Sequence, residues 1–340
     1  MCDSWRKEPD NELTLEQIEK IFDQLPSMDA VRLTGGEPFL RKDLLEITQL
    51  AQEKLCPSVL HVTTNGMATD RIVRYCEERR KSTRLYILVS VDGMEDKHNA
   101  IRGYPNAWER AVETIRELAP RQGELKIKLS VNQTVVDAEG ADHYEHMCRF
   151  FDDLDIPVHV VVAYEDSAAY SVEQEVDMAP REAGQFTPFG TFTHSQLQKL
   201  IATLTGSLRR HAFFERLGKR YYLWGIQNRL LGKGSQPNPK CVALNAHMRL
   251  FPDGQVPTCQ FNTKSVGNLS TQSFEDVWYG ASAKKQRSWV KRCPGCWAEC
   301  EILPSAIYTG DLIKYMAIPG FVYPRSSPRS LGVLPKIDSS

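Results

Sequence analysis

The chain reads as an α/β protein: a partial (β/α)6, TIM-like barrel lacking its first strand, followed by a small cysteine-rich module. Three observations predict this. Short β-branched strand patterns alternate with amphipathic helix patterns over residues 1–165. Strands of that kind, joined by right-handed helical crossovers, build a parallel sheet that closes into a full or partial barrel. Finally, five of the nine cysteines crowd into residues 241–300, which points to metal binding.

In chain order, Leu15, Ile18, Ile21, Phe22 and Leu25 mark a first helix, with Thr14 as its cap. Strands are predicted at 30–34, 59–64, 85–91, 125–131 and 157–163, and helices at 44–55, 70–81, 108–118 and 143–154. The chain opens on a helix-side loop, so a strand expected before the first helix would lie ahead of Met1. Residues 165–195, rich in Gly, Pro, Glu and Thr, read as a long loop at the active-site face and a specificity element. Leu197, Leu200, Ile201, Leu204 and Leu208 define a packing helix, extended by the aromatic stretch from Phe213 to Trp224. Residues 232–239 read as a linker and 324–340 as a loose tail. The expected spans are barrel 1–165, helical connection 166–240, cysteine module 241–305 and tail 306–340.

Composition is that of an ordinary globular protein, with 41% hydrophobic and 25% charged residues. A net charge of −1 gives no electrostatic case for nucleic acid or an anionic membrane. The start is polar and no apolar run approaches the ~20 residues of a membrane helix, so a cytoplasmic protein is expected. In a reducing compartment disulfides are rare. Cys56, Cys76 and Cys148 fall in helical patterns and read as buried thiols, leaving Cys2, Cys241, Cys259, Cys293, Cys296 and Cys300 as candidate ligands.

Thr34-Gly35-Gly36-Glu37-Pro38 ends the first predicted strand. Two glycines let backbone carbonyls face a ligand, and a carboxylate beside them can take up an ammonium group; alone, the motif reads equally as a plain turn. Later strand ends carry Thr63-Thr64-Asn65-Gly66, then Ser90-Val91-Asp92-Gly93 followed by His98 and Ile101-Arg102-Gly103, then Asn132. Toward the C-terminus, 248–258 reads as a hairpin turning at Pro252-Asp253-Gly254 and bringing Cys241 and Cys259 together. Cys293-Pro-Gly-Cys296 has the spacing of a metal knuckle. On spacing alone, zinc and an iron–sulfur cluster fit equally.

With Cys2 ahead of the Gly-Gly-Glu motif, the sequence resembles the radical S-adenosylmethionine (SAM) superfamily. Its Cys-x3-Cys-x2-Cys loop holds a [4Fe–4S] cluster whose fourth iron is chelated by SAM. By position, Cys2 resembles the third cysteine of that loop, and the other two would lie before Met1. The catalytic cluster's ligand set is therefore incomplete in these residues. The resemblance implies that Gly35, Gly36, Glu37, Asn65, Ser90, Arg102 and Asn132 contact SAM. Residues 241–305 resemble the SPASM/Twitch extension, which implies an auxiliary [4Fe–4S] cluster on Cys241, Cys259, Cys293 and Cys296, with Cys300 as the next candidate. Also implied are a peptide or small-molecule substrate, hydrogen abstraction by a 5′-deoxyadenosyl radical, and an electron donor such as flavodoxin or ferredoxin. The alternative is a non-catalytic zinc or iron–sulfur protein derived from the same fold.

Overall fold

The computed structural model describes residues 11–163, 175–183, 192–232, 234 and 236–318. Met1, Cys2, most of the expected 165–195 loop and the 324–340 tail lie outside the described residues.

Five parallel strands form one sheet in sequential order: β1 (Ala30–Leu33), β2 (Val59–Thr64), β3 (Arg84–Ser90), β4 (Ile127–Val135) and β5 (Val158–Val162). Helix α1 (Leu15–Phe22) starts in a capping box, Thr14 accepting from Gln17 and Gln17 from Thr14. Between strands run α2 (Leu44–Leu50), α3 (Thr69–Glu78), α4 (Glu95–Arg102), α5 (Ala107–Leu118), the short α6 (Gln122–Leu125) and α7 (Ala138–Asp152). The predicted strand at 125 begins at Ile127 instead, because Lys126 adopts a left-handed conformation that closes α6. Asp137 caps α7 through the Gly140 N–H, so that helix starts before His143. Cys56 is exposed rather than buried, because it ends the α2 segment in the left-handed region; Cys76 and Cys148 are buried.

Outward side chains of the sheet, among them Leu60, Val62, Ile87, Val89, Leu129 and Val131, form the main core with α3, α5 and α7. Strand side chains alternate, so Arg32, His61, Tyr86, Lys128 and His159 face the other way, into the barrel. Arg32 donates to Thr63, His61 stacks on Tyr86, and the Lys128 ammonium lies over the Tyr86 ring. A barrel interior is ordinarily filled by branched apolar side chains; this one is polar, as a ligand-holding lumen requires.

After the short α8 (Pro180–Ala183) come α9 (His194–Ser207) and α10 (Phe213–Leu230). Both join the main core, so they are structural walls as well as a connection. The C-terminal part holds an antiparallel pair, β6 (Gln255–Pro257) and β7 (Ser265–Asn268), then α11 (Phe274–Tyr279), α12 (Ala281–Arg292), α13 (Glu299–Tyr308) and α14 (Asp311–Met316). The expected 248–258 hairpin closes at its turn, with the Gly254 N–H donating to the Phe251 carbonyl and the Phe251 N–H to the Gln255 carbonyl; the strand that follows, β6, takes its ladder partner from ahead, in β7. Val256, Val266, Leu269 and Val277 share a second core with Ile18, Ile21 and Phe22 of α1, which seats the cysteine module on the barrel's first helix. Among the described residues no helix is long and apolar enough to cross a membrane.

Candidate cofactor sites

Two sites emerge. The first is the rim of strand C-termini. Glu37 caps a single 3-10 turn, Pro38–Leu40, accepting from the Phe39 N–H at 3.1 Å. The same oxygen accepts the Thr64 hydroxyl at 2.8 Å, and Oε2 accepts the Asn65 N–H at 2.6 Å. One carboxylate thus ties the end of β1 to the end of β2. Burial pushes its pKa up, against the downward pull of those hydrogen bonds and of Arg102. Gly66 makes the tight exit from β2: its φ is +75°, and a Cβ there would meet Val89 at 2.6 Å. By contrast, among the described residues nothing lies within 4 Å of where a Cβ would stand at Gly35 or Gly36.

Farther along the rim, Ser90 and Asn132 are register partners on β3 and β4. Buried Asp92 accepts the Thr134 N–H at 3.1 Å, and its other oxygen lies 2.7 Å from Arg102 in an ion pair whose geometry falls short of a hydrogen bond. The Asp92 N–H donates to His98 Nδ1, and burial together with Arg102 pushes the His98 pKa down to about 3. Asn65 turns its side-chain oxygen to the Met67 N–H. The expected rim residues do come together, but Glu37, Asn65 and Arg102 are also engaged in holding the rim itself. Asp92 and Thr64, which pin that rim, were not singled out as site residues from the sequence; a carboxylate and a hydroxyl at strand ends were the available signal.

The second site lies among the C-terminal thiols. Cys241, Cys259, Cys293 and Cys296 line one cavity, walled by Phe261 and Trp289. Each sulfur has a backbone donor from its own loop: Ala243 N–H to Cys241 at 3.5 Å, Asn262 N–H to Cys259 at 3.4 Å, Gly295 to Cys293 and Ala298 to Cys296. Such donors favour thiolates. Burial opposes them and raises all four pKa values, that of Cys241 to about 12, so loading a metal must expel protons. Cys300 stands apart. Its thiol donates to Gln260 at 2.7 Å and accepts from Arg249 at 3.2 Å. Arg249 and His247 also hold buried Glu301, at 2.8 and 3.1 Å, and keep its carboxyl ionised against the upward push of burial. Burial raises the Cys300 pKa, against the downward pull of the Arg249 and Arg32 guanidinium charges.

The thiol spacing bears on the choice of metal. Four thiolates around zinc, with bonds of about 2.3 Å, stand about 3.8 Å from one another. Among the described residues, no three of these sulfurs lie mutually within 4.8 Å. A single-ion site would have to contract.

The family model of the radical SAM superfamily matches residues 1–151, and that of an iron–sulfur cluster-binding domain, SPASM, matches residues 241–300. The chain is 26% identical over 269 residues to a GTP 3′,8-cyclase of Aquifex aeolicus, covering 74% of this chain and 72% of that protein. It is 23% identical over 298 residues to an AdoMet-dependent heme synthase of Methanosarcina barkeri, covering 86% and 81%. The solved structure of native anSMEcpe with bound AdoMet has the same fold at a TM-score of 0.50 and 16% identity, covering 91% of this chain and 89% of that one.

Proposed function

The chain belongs to the radical SAM superfamily and carries a SPASM domain, and from that premise we propose that it directs hydrogen-atom abstraction from a small molecule or peptide held in the polar barrel lumen. When bound, SAM and its [4Fe–4S] cluster supply the abstracting radical, and the auxiliary cluster supplies an electron acceptor or a substrate ligand. The relatives named above act, by their names, on GTP and in making heme, which favours a small molecule. The observation that carries the reading is the polar inner face of the sheet, with Arg32, His61, Tyr86 and Lys128 in register, in a chain that also holds a four-thiol cavity.

In this reading Gly35 and Gly36 present carbonyls to the SAM ammonium, and Glu37 fixes them in place. Ser90 and Asn132 meet the ribose, and Arg102 meets the carboxylate while Asp92 holds its guanidinium; Asn65 lines the same rim. Cys2 is one thiolate of the catalytic cluster. Cys241, Cys259, Cys293 and Cys296 hold the auxiliary cluster, and a flavodoxin or ferredoxin delivers the electron. The test is substrate-dependent 5′-deoxyadenosine release by the reconstituted holoenzyme across nucleotides, tetrapyrroles and peptides. Release that no lumen substitution, such as Lys128→Met, alters would sink the placement of substrate in the lumen.

Two further outcomes are expected. In this reading Cys2 is the one cysteine of these 340 residues assigned to the catalytic cluster, and a cluster held by one thiolate leaves its other irons open to water and exchange. The polypeptide by itself, reconstituted with iron and sulfide and given dithionite and SAM, is expected to release no 5′-deoxyadenosine; turnover would overturn this. In the SAM-competent holoenzyme, Glu37→Ala removes three hydrogen bonds to a buried carboxylate, each worth about 1.5–3 kcal/mol when charge-assisted. SAM affinity by isothermal titration should fall on the order of tenfold or more, and Glu37→Gln should restore part of it. Unchanged affinity in both variants removes Glu37 from the site.

A further inference from the structure

A third cluster of side chains, beside Asn132 in the sheet register, shares no residue with the two sites above. His159 projects from the inner face of β5. His211 precedes α10, and Glu215 sits in its first turn, four residues on, so both point to one side. His159 Nε2 is 3.1 Å from Glu215 Oε1, and His211 Nδ1 is 3.3 Å from the same oxygen. The three ligand atoms lie mutually within 4.8 Å.

We propose that His159, His211 and Glu215 bind one divalent cation of the zinc class, leaving a fourth position open to the lumen. A tetrahedral ion with bonds of about 2.0–2.1 Å sets its ligands about 3.3 Å apart. The carboxylate oxygen already stands at about that distance from both ring nitrogens, and the two nitrogens are within 4.8 Å of each other, so one ion is within reach of all three. Two imidazoles and one carboxylate match the preference of such ions, and three protein ligands with one vacant corner describe a reactive site more than a structural one. Lys128 Nζ holds the other carboxylate oxygen at 2.6 Å, which orients Oε1 toward the histidines and keeps the group monodentate.

The surrounding charges define what the vacant corner would take. Glu215 is balanced by Lys128, and Lys219, which also faces His159, is balanced by Glu299 at 2.6 Å. The pocket is thus near neutral before the metal enters. A divalent ion adds two positive charges in a buried setting, which favours an anionic fourth ligand: hydroxide, or a carboxylate or phosphate of the substrate. This goes beyond the SAM and cluster assignments and does not depend on them.

Cobalt(II) is the probe. The full chain is first loaded with its auxiliary cluster, freed of excess metal, and then titrated anaerobically. The expected result is about one cobalt per chain, with the visible bands of tetrahedral nitrogen and oxygen ligation and no sulfur-to-cobalt charge-transfer band. His159→Asn and Glu215→Gln should each weaken cobalt binding by more than about tenfold, with far-ultraviolet circular dichroism reporting whether each variant folds. The wild-type spectrum decides even if a variant does not fold. A spectrum without these bands, a sulfur-to-cobalt band alone, or full binding retained by both folded variants would each overturn the proposal and leave the trio a hydrogen-bonded charge network.

Discussion

Anaerobic reconstitution of the chain should load about four irons as one auxiliary [4Fe–4S] cluster, and Cys241→Ala or Cys259→Ala should abolish them. All four proposed ligands lie between Cys241 and Cys296, on loops whose own N–H groups already point at the sulfurs. The Cys293 and Cys296 knuckle and the turn before Cys259 are local elements of one stretch of chain. Because binding free energy is folding free energy at such a site, each lost ligand should also lower thermal stability. Cys56→Ala, at an exposed thiol, and Cys76→Ala, at a thiol buried under α3, should leave the iron count unchanged. Cys300→Ala separates two arrangements. Its thiol is turned to Gln260 and Arg249 and does not line the cavity, so iron should be retained. Loss of iron in Cys300→Ala would make it a ligand in place of Cys293 or Cys296. A chain that takes up no iron and holds one zinc instead would replace the cluster with a zinc module.

Much of this was legible because it is local. The strands follow from β-branched runs, and the cap at Thr14 from a hydroxyl ahead of an apolar period. The Gly-Gly-Glu turn follows from its glycines. What the sequence hid is long-range. Nothing near Glu37 says that its carboxylate is held by Thr64 and Asn65, or near Arg102 that it is paired to Asp92; those contacts exist only once β1, β2, β3 and β4 stand side by side. The Pro-Asp-Gly turn fixes where the chain reverses, and Phe251 and Gln255 meet across it, but it does not say that β6 goes on to pair with β7. Cys56 read as buried from helical periodicity, yet the helix ends at that residue. His159, His211 and Glu215 gave no pattern at all: 52 residues separate the two histidines, and they meet only because α10 begins against the barrel edge.

Gly225→Ala should disrupt the cysteine knuckle from a distance. In an isolated helix this change stabilises, by about 1 kcal/mol, since alanine is the better helix former. Here a Cβ at position 225 would stand 1.7 Å from Cζ2 of Trp297, an overlap no small shift relieves. Trp297 follows Cys296 directly and is fully buried. Its Nε1–H donates to the Tyr222 carbonyl at 2.8 Å, and the Arg229 guanidinium lies 3.9 Å over its ring. Helix α10 therefore holds the knuckle by a single indole in the notch that Gly225 leaves. Expelling the ring breaks that hydrogen bond and opens a void, at a combined cost on the order of 3–5 kcal/mol, as for truncating a buried tryptophan. The variant should lose several degrees of thermal midpoint and most of its reconstituted iron. Gly206→Ala, on α9, where a Cβ meets nothing within 4 Å, should instead leave iron intact and raise the midpoint slightly. The double variant Gly225→Ala with Trp297→Leu should be less unstable than the sum of its two single changes, because the smaller side chain accepts the new methyl. Additive losses in that cycle would show that the notch does not position the knuckle.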